Sequence, residues 1–324
     1  MIFSANDIFS AHIDDHEFNL LALEAFRYQS KENSVFKEYL YLRNYQKNPE
    51  HYLQIPFLPI ELFKTHRIQT GNQTEAPVVF TSSGTTGAQT SKHYITHPEV
   101  YVESFMRGFE LFFGDASQFH FLALLPSYLE RSGSSLVYMV EHLMQVSGKG
   151  DYYLYNHSAL YDKLQELERL GQQSILFGVS YALIDFAEKF PASLSHCQII
   201  ETGGMKGTRK ELTKKELHEL LQNSFGAQSI SSEYGMTELL SQAYSVQSSI
   251  YTPVPWMKAL VRDPYDPFAL SDSGKGAFNF IDLANIHSCC FIETHDLGSV
   301  SSGKFEVSGR MDNAQIRGCN LLAQ

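Results

Sequence analysis

The chain has 324 residues and a formal net charge of −11, which disfavours non-specific nucleic-acid binding because such binding needs a basic surface. Hydrophobic residues make up 43%, enough for a sizeable buried core, but no apolar run reaches the ~18 residues of a membrane span and the start lacks a signal-peptide pattern. Four cysteines without a CxxC pair fit neither a disulfide framework nor a zinc site. We therefore expect a cytoplasmic protein with reduced thiols, no membrane span and no nucleic-acid partner.

The hydrophobic pattern predicts a helical N-terminal region over residues 1–75 and an α/β core over residues 76–250. The first strand of the core is Pro77–Thr81, and a helix follows from a capping box at Thr96 to about Phe113. Further strands are predicted at 119–125, 173–179, 196–201 and 230–233, with helices at 132–146 and 181–189 and from a capping box at 208–211 to Gly226.

Beyond residue 250 the helical periodicity stops. Short strands with Gly/Ser turns predict a small β subdomain over 251–310, and residues 311–324 form a hinge-like tail. Strands that alternate with helices favour an α/β fold with a doubly wound, largely parallel sheet. Ligands of such sheets bind at the carboxyl ends of the strands, where the motifs described next are found.

A loop rich in hydroxyl groups and glycine follows the first predicted strand and ends at Lys92. Backbone and hydroxyl donors that allow close approach suit a polyphosphate. The loop is not a Walker A motif, because no glycine directly precedes the lysine. Taken alone, it also fits a surface turn. Its residues are Thr81, Ser82, Ser83, Gly84, Thr85, Thr86 and Gly87.

A second motif, Ser232–Glu238, follows the strand predicted at 230–233. The ring of Tyr234, which precedes Gly235, can stack on a base, and Thr237 can contact a phosphate. Glu238 offers the hard oxygen ligand that Mg²⁺ prefers. Taken alone, the segment also fits an ordinary junction between a strand and a helix.

In combination and order, the two motifs resemble those of the adenylate-forming superfamily, which includes acyl-CoA synthetases, luciferases and peptide-synthetase adenylation domains. The resemblance spans roughly residues 76–318. It implies that Gly203 and Gly204 lie beside the adenine, and that Asp296, in Thr294–Gly298, holds the ribose hydroxyls. Arg310 belongs to the hinge motif, and His295 stands where the family pattern has glycine.

Within the superfamily the chain is most similar to the acyl-protein synthetase (LuxE-like) branch. Three segments carry this likeness: Ile55–Pro59, Leu125–Arg131 and Ile316–Cys319. The resemblance implies that a fatty acid is activated with ATP and Mg²⁺ to acyl-AMP. The acyl group then moves to Cys319, which Arg310 and Arg317 would activate as a thiolate.

The implied catalytic residues are Cys319, Glu238, Thr237 and Lys92, with Glu238 as the metal ligand and a reductase or carrier protein as a further acyl acceptor. Most members of the superfamily continue into a lid domain with a catalytic lysine. The sequence ends near the hinge motif, so we expect no lid, and Lys92, Lys206 or Arg317 would supply the missing positive charge.

Two alternatives stay open at this stage. One is an acyl-CoA or acyl-carrier-protein ligase that does not use Cys319. The other is a non-catalytic subunit that binds a nucleotide or an acyl group. The sequence indicates neither the acid nor the oligomeric state.

Overall fold

The computed structural model describes residues 8–73, 75–82, 89–126, 132–203, 212–246 and 248–311. No helix in these ranges has both the length and the apolar content needed to cross a membrane. The helices are α1 Asp15–Glu32, α2 Ser34–Leu42, α3 Leu62–Thr65, α4 Pro98–Phe113, α5 Ser135–Ser147, α6 His157–Arg169, α7 Ser180–Lys189 and α8 Lys214–Phe225.

The strands form one two-stranded hairpin and two larger sheets. They are β1 Leu58–Pro59, β2 Val78–Thr81, β3 Lys92–Ile95, β4 His120–Leu124, β5 Gly150–Tyr152, β6 Ser174–Val179, β7 Cys197–Thr202, β8 Ile230–Tyr234, β9 Ala243–Ser245, β10 Thr252–Pro253, β11 Met257–Asp263, β12 Asp266–Ser271, β13 Gly274–Asp282, β14 Phe291–Ser301 and β15 Lys304–Arg310.

Contacts divide the chain into two compact units. The first falls within Met1–Ser104, Thr237–Ser241 and Thr252–Gln324, and the second within Phe105–Met236 and Gln242–Tyr251. The four consecutive segments expected from the sequence remain a prediction.

The second unit contains the expected parallel sheet, with β5, β4, β6, β7 and β8 side by side and β9 antiparallel at β8. Every residue of β4 and β6 is buried, as expected for strands covered by helices on both faces. A helix connects each consecutive pair of parallel strands, so the doubly wound α/β core is confirmed.

Two helix ends of this unit show how the sequence sets the elements. Gly226 ends α8 in the left-handed conformation, as expected. The start of α8 differs from expectation, because Thr213 is its N-cap and forms a capping box with Glu216. The capping box predicted at 208–211 lies outside the described residues.

The first unit is built on an antiparallel sheet in the order β1, β14, β13, β11 and β12, with β15 also paired to β14. The predicted C-terminal strands are therefore confirmed, and the predicted N-terminal helices are present as α1 and α2. The buried Gln29 of α1 donates to the carbonyls of Asn285 and Ile286 and accepts from the Cys290 amide. These hydrogen bonds join the N-terminal helices to the segment before β14.

The strand predicted at Pro77–Thr81 forms, but it does not belong to the parallel sheet. As β2 it pairs antiparallel with β3, from Val78 opposite Ile95 to Thr81 opposite Lys92. Parallel neighbours need a crossover connection of about a dozen residues or more, usually helical. The connection between β2 and β3 is too short for that, so the two strands form a hairpin.

Candidate functional site

The base of the hydroxyl-rich loop is fixed by the hairpin that carries it. Just beyond β2, the Ser82 amide donates to the Ser91 carbonyl at 3.1 Å. The Ser91 amide in turn donates to the Ser82 hydroxyl oxygen at 2.9 Å. Thr81 and Lys92 face each other at the strand ends. The other predicted loop residues, Ser83, Gly84, Thr85, Thr86 and Gly87, lie outside the described residues.

Glu238 lies beside this base, with only 5% of its surface exposed. Burial raises the pKa of its carboxyl group, while the Ser91 hydroxyl and the charge of Arg310 act in the opposite direction and Asp296 adds to the rise. Asp296 and Arg310 face each other across β14 and β15, with 3.5 Å between Oδ1 and Nε. The structure thus brings predicted residues of three motifs together around one buried carboxylate.

Asp282 and Asn285 hold the backbone that carries Glu238. The Asn285 side-chain amide donates to the Glu238 carbonyl at 2.8 Å. Asp282 accepts from the amides of Leu240 and Ser241 and, at 2.6 Å, from the Ser241 hydroxyl. Burial raises the pKa of Asp282 to about 6 even though these hydrogen bonds oppose the shift. The segment Thr237–Ser241 therefore has little freedom to move away from the site.

His93 fixes the same segment from the hairpin. Its Nδ1 lies 2.9 Å from the Thr237 carbonyl, and its Nε2 lies 2.8 Å from the Ser288 hydroxyl. A carbonyl only accepts, so Nδ1 carries the proton and Nε2 accepts from Ser288. Burial lowers the pKa of His93 to about 4, which keeps the ring neutral at pH 7. The neutral tautomer is the form these two partners require.

Sequence reasoning missed these supporting residues. His93 alternates with Lys92 and Tyr94 along a short strand, so no periodic signal distinguishes it. Asp282 offers a weak signal, because it is a charged residue at the end of the buried, mostly apolar half of β13. A buried charge in such a position needs partners, which here are the amides of the Glu238 segment.

In the second unit, Gly203 directly follows β7 in the left-handed region at φ 73°, and its carbonyl accepts from the Ser180 hydroxyl at 3.0 Å. Gly204 lies outside the described residues. Tyr234 ends β8, with its ring 5.7 Å from that of Tyr251 in an edge arrangement. A Cβ on Gly235 would lie 2.5 Å from Oε1 of Glu233, so a larger residue at this position would displace that buried carboxyl group.

A buried network underlies this part of the second unit. Glu201 accepts from the Ser180 hydroxyl at 2.8 Å and pairs with Lys214, whose ammonium also contacts the Tyr251 hydroxyl. Burial alone would raise the pKa of Glu201, but Lys214 and the His218 hydrogen bond lower it to about 2. Tyr251 is thus held from one side by a fixed charge, and its ring contacts Tyr234 on the other.

The pKa of Glu233 is shifted in the opposite direction from that of Glu201. Burial, together with the charge of Glu201, raises its pKa to about 7, although the Thr202 hydroxyl donates to it. No cation within the described part of the chain forms an ion pair with Glu233 at contact distance. Its carboxyl group therefore changes protonation near neutral pH.

Three of the four cysteines lie within the described residues, and all three are buried free thiols: Cys197, Cys289 and Cys290. Burial raises the pKa of Cys197 and of Cys289 to about 12. Cys289 and Cys290 are fully buried in the core of the first unit. Cys319 lies outside the described residues.

No protein-family model matches the chain. A curated relative from Aliivibrio fischeri, named as a long-chain-fatty-acid–luciferin-component ligase, is 20% identical over 329 residues, covering 93% of this chain and 86% of the relative. A relative of the same name from Photorhabdus luminescens is 32% identical over 88 residues, covering 27% of this chain and 76% of the relative.

Among solved structures, the chain resembles a fatty acyl-adenylate ligase from L. pneumophila in complex with acyl adenylate and pyrophosphate. The TM-score is 0.51 at 13% identity, covering 78% of this chain. The chain spans about half of that protein, 54% of its length. This likeness shows that the chain has the adenylate-forming fold, as expected from the sequence. With the two curated relatives, it follows that the chain belongs to the acyl-protein synthetase family, a branch of the adenylate-forming ligases.

Proposed function

We propose that this chain activates a long-chain fatty acid with ATP to form acyl-AMP, and then transfers the acyl group to a protein thiol. One observation carries the proposal: Glu238 lies buried beside Ser91 at the base of the hydroxyl-rich loop, close to the Asp296–Arg310 pair. The groups proposed to bind the polyphosphate, the cation and the ribose would thus lie close together. The names of the two curated relatives support the choice of a fatty acid.

In the first step a carboxylate oxygen attacks the α-phosphorus of ATP. A bond forms between that oxygen and phosphorus, and the bond to the bridging oxygen breaks, so pyrophosphate leaves with the electron pair. Ser82 and the loop it begins would donate to the phosphates, and Lys92 adds positive charge. The protein contributes mainly position and electrostatic stabilisation.

Glu238 fits a Mg²⁺ ligand, since burial and the charge of Asp296 raise the pKa of its carboxyl group more than Ser91 and Arg310 lower it. Within the described residues, His, Cys and acidic side chains form no group of three or more that could hold a metal. Mg²⁺ commonly takes one or two carboxylates and completes its shell with substrate phosphates and water. When bound, it would neutralise charge on the leaving pyrophosphate.

The nucleoside would be recognised by three groups proposed from the motifs. Tyr234 offers an aromatic face for the adenine, and the glycine at 203 allows a close backbone approach. Asp296 would offer oxygens to the ribose hydroxyls, and its pairing with Arg310 holds its side chain in place.

In the second step a thiolate attacks the acyl carbon of acyl-AMP. A carbon–sulfur bond forms, the bond to the phosphate oxygen breaks, and AMP leaves. The described cysteines are poor candidates because burial suppresses their ionisation. Cys319 is therefore the proposed acceptor, with a reductase or carrier protein as the next one.

Carboxylate-dependent exchange of label between pyrophosphate and ATP tests the activation step. We expect exchange with long-chain fatty acids and little with short acids. A chain that shows no exchange with any carboxylic acid is not an adenylating enzyme.

Acyl labelling tests the transfer step separately. Radiolabelled fatty acid and ATP should leave label on the denatured wild-type protein and none on Cys319→Ser, which should still catalyse exchange. The variant Cys197→Ser is the control and should keep the label. Label that moves to CoA and never to protein would instead identify an acyl-CoA ligase.

A further inference from the structure

His295 is the residue at which the motif around Asp296 departs from the family pattern, and it directly precedes Asp296 in β14. Its Nε2 lies 2.7 Å from Oε1 of Glu61, and 23% of its side chain is exposed. Glycine, which the family pattern has here, offers no side chain for such a pair. His295 therefore gives the strand of Asp296 a contact with a distant part of the chain.

Glu61 is held at the start of α3 by the sheet of the first unit. β1 pairs parallel with β14, where Pro59 lies opposite Glu293. The Ile60 amide donates to the Glu293 carbonyl at 3.0 Å. Glu61 is the N-cap residue of α3, but its side chain makes no capping hydrogen bond. Its carboxylate contacts His295 instead, from a backbone position that the sheet fixes.

The charges around Glu61 favour an ion pair with His295. Burial by itself would raise the pKa of Glu61, but His295, the Glu61 amide and Lys64 together lower it below its ordinary value. Glu61 is therefore a carboxylate at neutral pH, the form to which an N–H donor bonds most strongly. The neighbouring carboxylate of Glu293 has a cation of its own, since an Arg262 nitrogen lies 3.2 Å from its Oε1.

The main chain around Asp296 is anchored to the strands on either side. After β15, the Met311 amide donates to the His295 carbonyl at 2.8 Å. Toward β13, the Thr294 hydroxyl donates to the Phe278 carbonyl at 2.9 Å and accepts from the Asp296 amide at 3.2 Å. The side chain of His295 adds an attachment in another direction, to the start of α3.

We infer that His295 and Glu61 are positioning residues for Asp296, because their ion pair ties its strand to the start of α3. The inference rests on the proposed function, in which Asp296 receives the ribose hydroxyls. Successive side chains of a strand point to opposite faces, so His295 acts through the backbone and not on the nucleotide. α3 also carries Phe63, whose ring lies 5.4 Å from that of His93 in the hairpin. The pair thus connects the strand of the ribose residue with the hairpin of the hydroxyl-rich loop.

Calorimetric titration with ATP and with 2′,3′-dideoxy-ATP, which lacks both ribose hydroxyls, tests the inference. His295→Phe keeps a ring and Glu61→Leu keeps a side chain of similar size, but neither variant can form the ion pair. Each should weaken ATP binding about threefold to fivefold, the scale expected for losing a partly exposed ion pair. Affinity for the dideoxy nucleotide should not change, because it has no ribose hydroxyl for Asp296 to bind.

A double variant and a conservative variant separate the ion pair from other effects. His295→Phe combined with Glu61→Leu should bind ATP no more weakly than either single variant, because both changes remove the same interaction. Glu61→Gln keeps an oxygen that accepts from the imidazole and should keep most of the affinity. His16→Phe, at an exposed histidine of α1, is the matched control and should bind both nucleotides as the wild type does.

The exchange reaction adds a kinetic readout. Since the ion pair acts on nucleotide binding, each single variant should raise KM for ATP and leave kcat unchanged. Unchanged binding of the dideoxy nucleotide shows in the same proteins that the site is folded.

The inference is wrong if either single variant binds ATP as the wild type does, if binding of both nucleotides weakens equally, or if the two losses multiply in the double variant. Failure of the proposed function is seen in the wild type. Equal affinity of the wild type for the two nucleotides would remove Asp296 from the ribose site, and the inference with it. Losses in the variants that depend on the ribose hydroxyls would uphold the inference even without fatty-acid-dependent exchange.

Discussion

Glu238 and Glu233 are both buried carboxyl groups with raised pKa values, but their surroundings differ. Glu238 lies beside Ser91, Asp296 and Arg310, which the motifs connect with ATP. Glu233 contacts Thr202 and is influenced by Glu201 in the sheet beneath Tyr234. The surroundings of Glu238 suit a carboxylate whose charge a bound ligand compensates. Those of Glu233 suit a carboxyl group that takes up a proton within the folded protein.

Replacing Glu238→Gln should reduce acyl-AMP formation on the order of 10²-fold, because it removes the carboxylate proposed to hold Mg²⁺ at the leaving phosphates. The Mg²⁺ concentration needed for half-maximal exchange should rise at the same time. Glu24→Gln, on the exposed side of α1, serves as the control. A Glu238→Gln enzyme with wild-type rate and Mg²⁺ dependence would remove Glu238 from the proposed site.

Glu233→Gln should change how stability depends on pH. The folded-state pKa is about 7, above the ordinary 4.5, so the folded protein holds more protons than the unfolded one between these values. The stability that this group contributes is present below pH 4.5 and is lost as pH rises through 7. Relative to the wild type, the variant should therefore gain about 2 kcal/mol between pH 5 and 8.

Urea unfolding at the two pH values measures this difference. Glu219→Gln, on an exposed position of α8, is the matched control and should show no such change. A stability difference that stays constant from pH 5 to 8 would mean that Glu233 does not titrate in this range.

At the scale of elements, strands buried on both faces could be predicted well. β4 and β6 are short, mostly apolar runs, and their neighbours lie where a doubly wound sheet requires them. The pairing of β2 could not be read from its composition, which is equally apolar. It depends on the length of the connection to β3, and that becomes informative only when the partner strand is known.

Only part of the candidate site could be predicted from the sequence, namely the residues that belong to motifs. Motif residues such as Glu238 and Asp296 are identified by their neighbours in sequence. The groups that position them, His93, Asp282 and Asn285, are ordinary polar residues whose role arises from contacts across the fold. Local pattern carries no information about such contacts.

The pairing of β14 with β15 depends on Gly298. A Cβ there would lie 2.0 Å from the Glu306 carbonyl oxygen and 2.4 Å from the Phe278 ring. Gly298→Ala should therefore destabilise the protein by about 2 kcal/mol and weaken ATP binding, because Asp296 and Arg310 face each other across these strands. Urea unfolding and nucleotide titration measure the two effects.

Ser299→Ala, the next position on the same strand, is the control for this change. It removes a hydroxyl without adding volume and should have little effect on either measurement. Equal stability of the two variants would show that the strands accommodate a methyl group without shifting.

For the whole molecule, the distribution of thiols gives a simple expectation. Three of four cysteines are buried, so a thiol reagent should modify at most one cysteine rapidly in the native protein and all four after denaturation. Cys319→Ser should abolish the rapid reaction. Rapid modification that persists in this variant would place an accessible thiol among the cysteines described as buried.

The way Thr237–Ser241 is anchored also bears on how the protein is made. The partners of this segment are distant in sequence, with His93 separated by 144 residues from Thr237 and Asn285 by 47 from Glu238. A ribosome delivers the chain from its N-terminus, so the strands of the parallel sheet emerge before Asp282, Asn285 or Asp296 exist. The carboxylate of Glu238 can reach its final surroundings only after these residues have left the ribosome. Assembly of the proposed ATP site therefore follows synthesis of the parallel sheet.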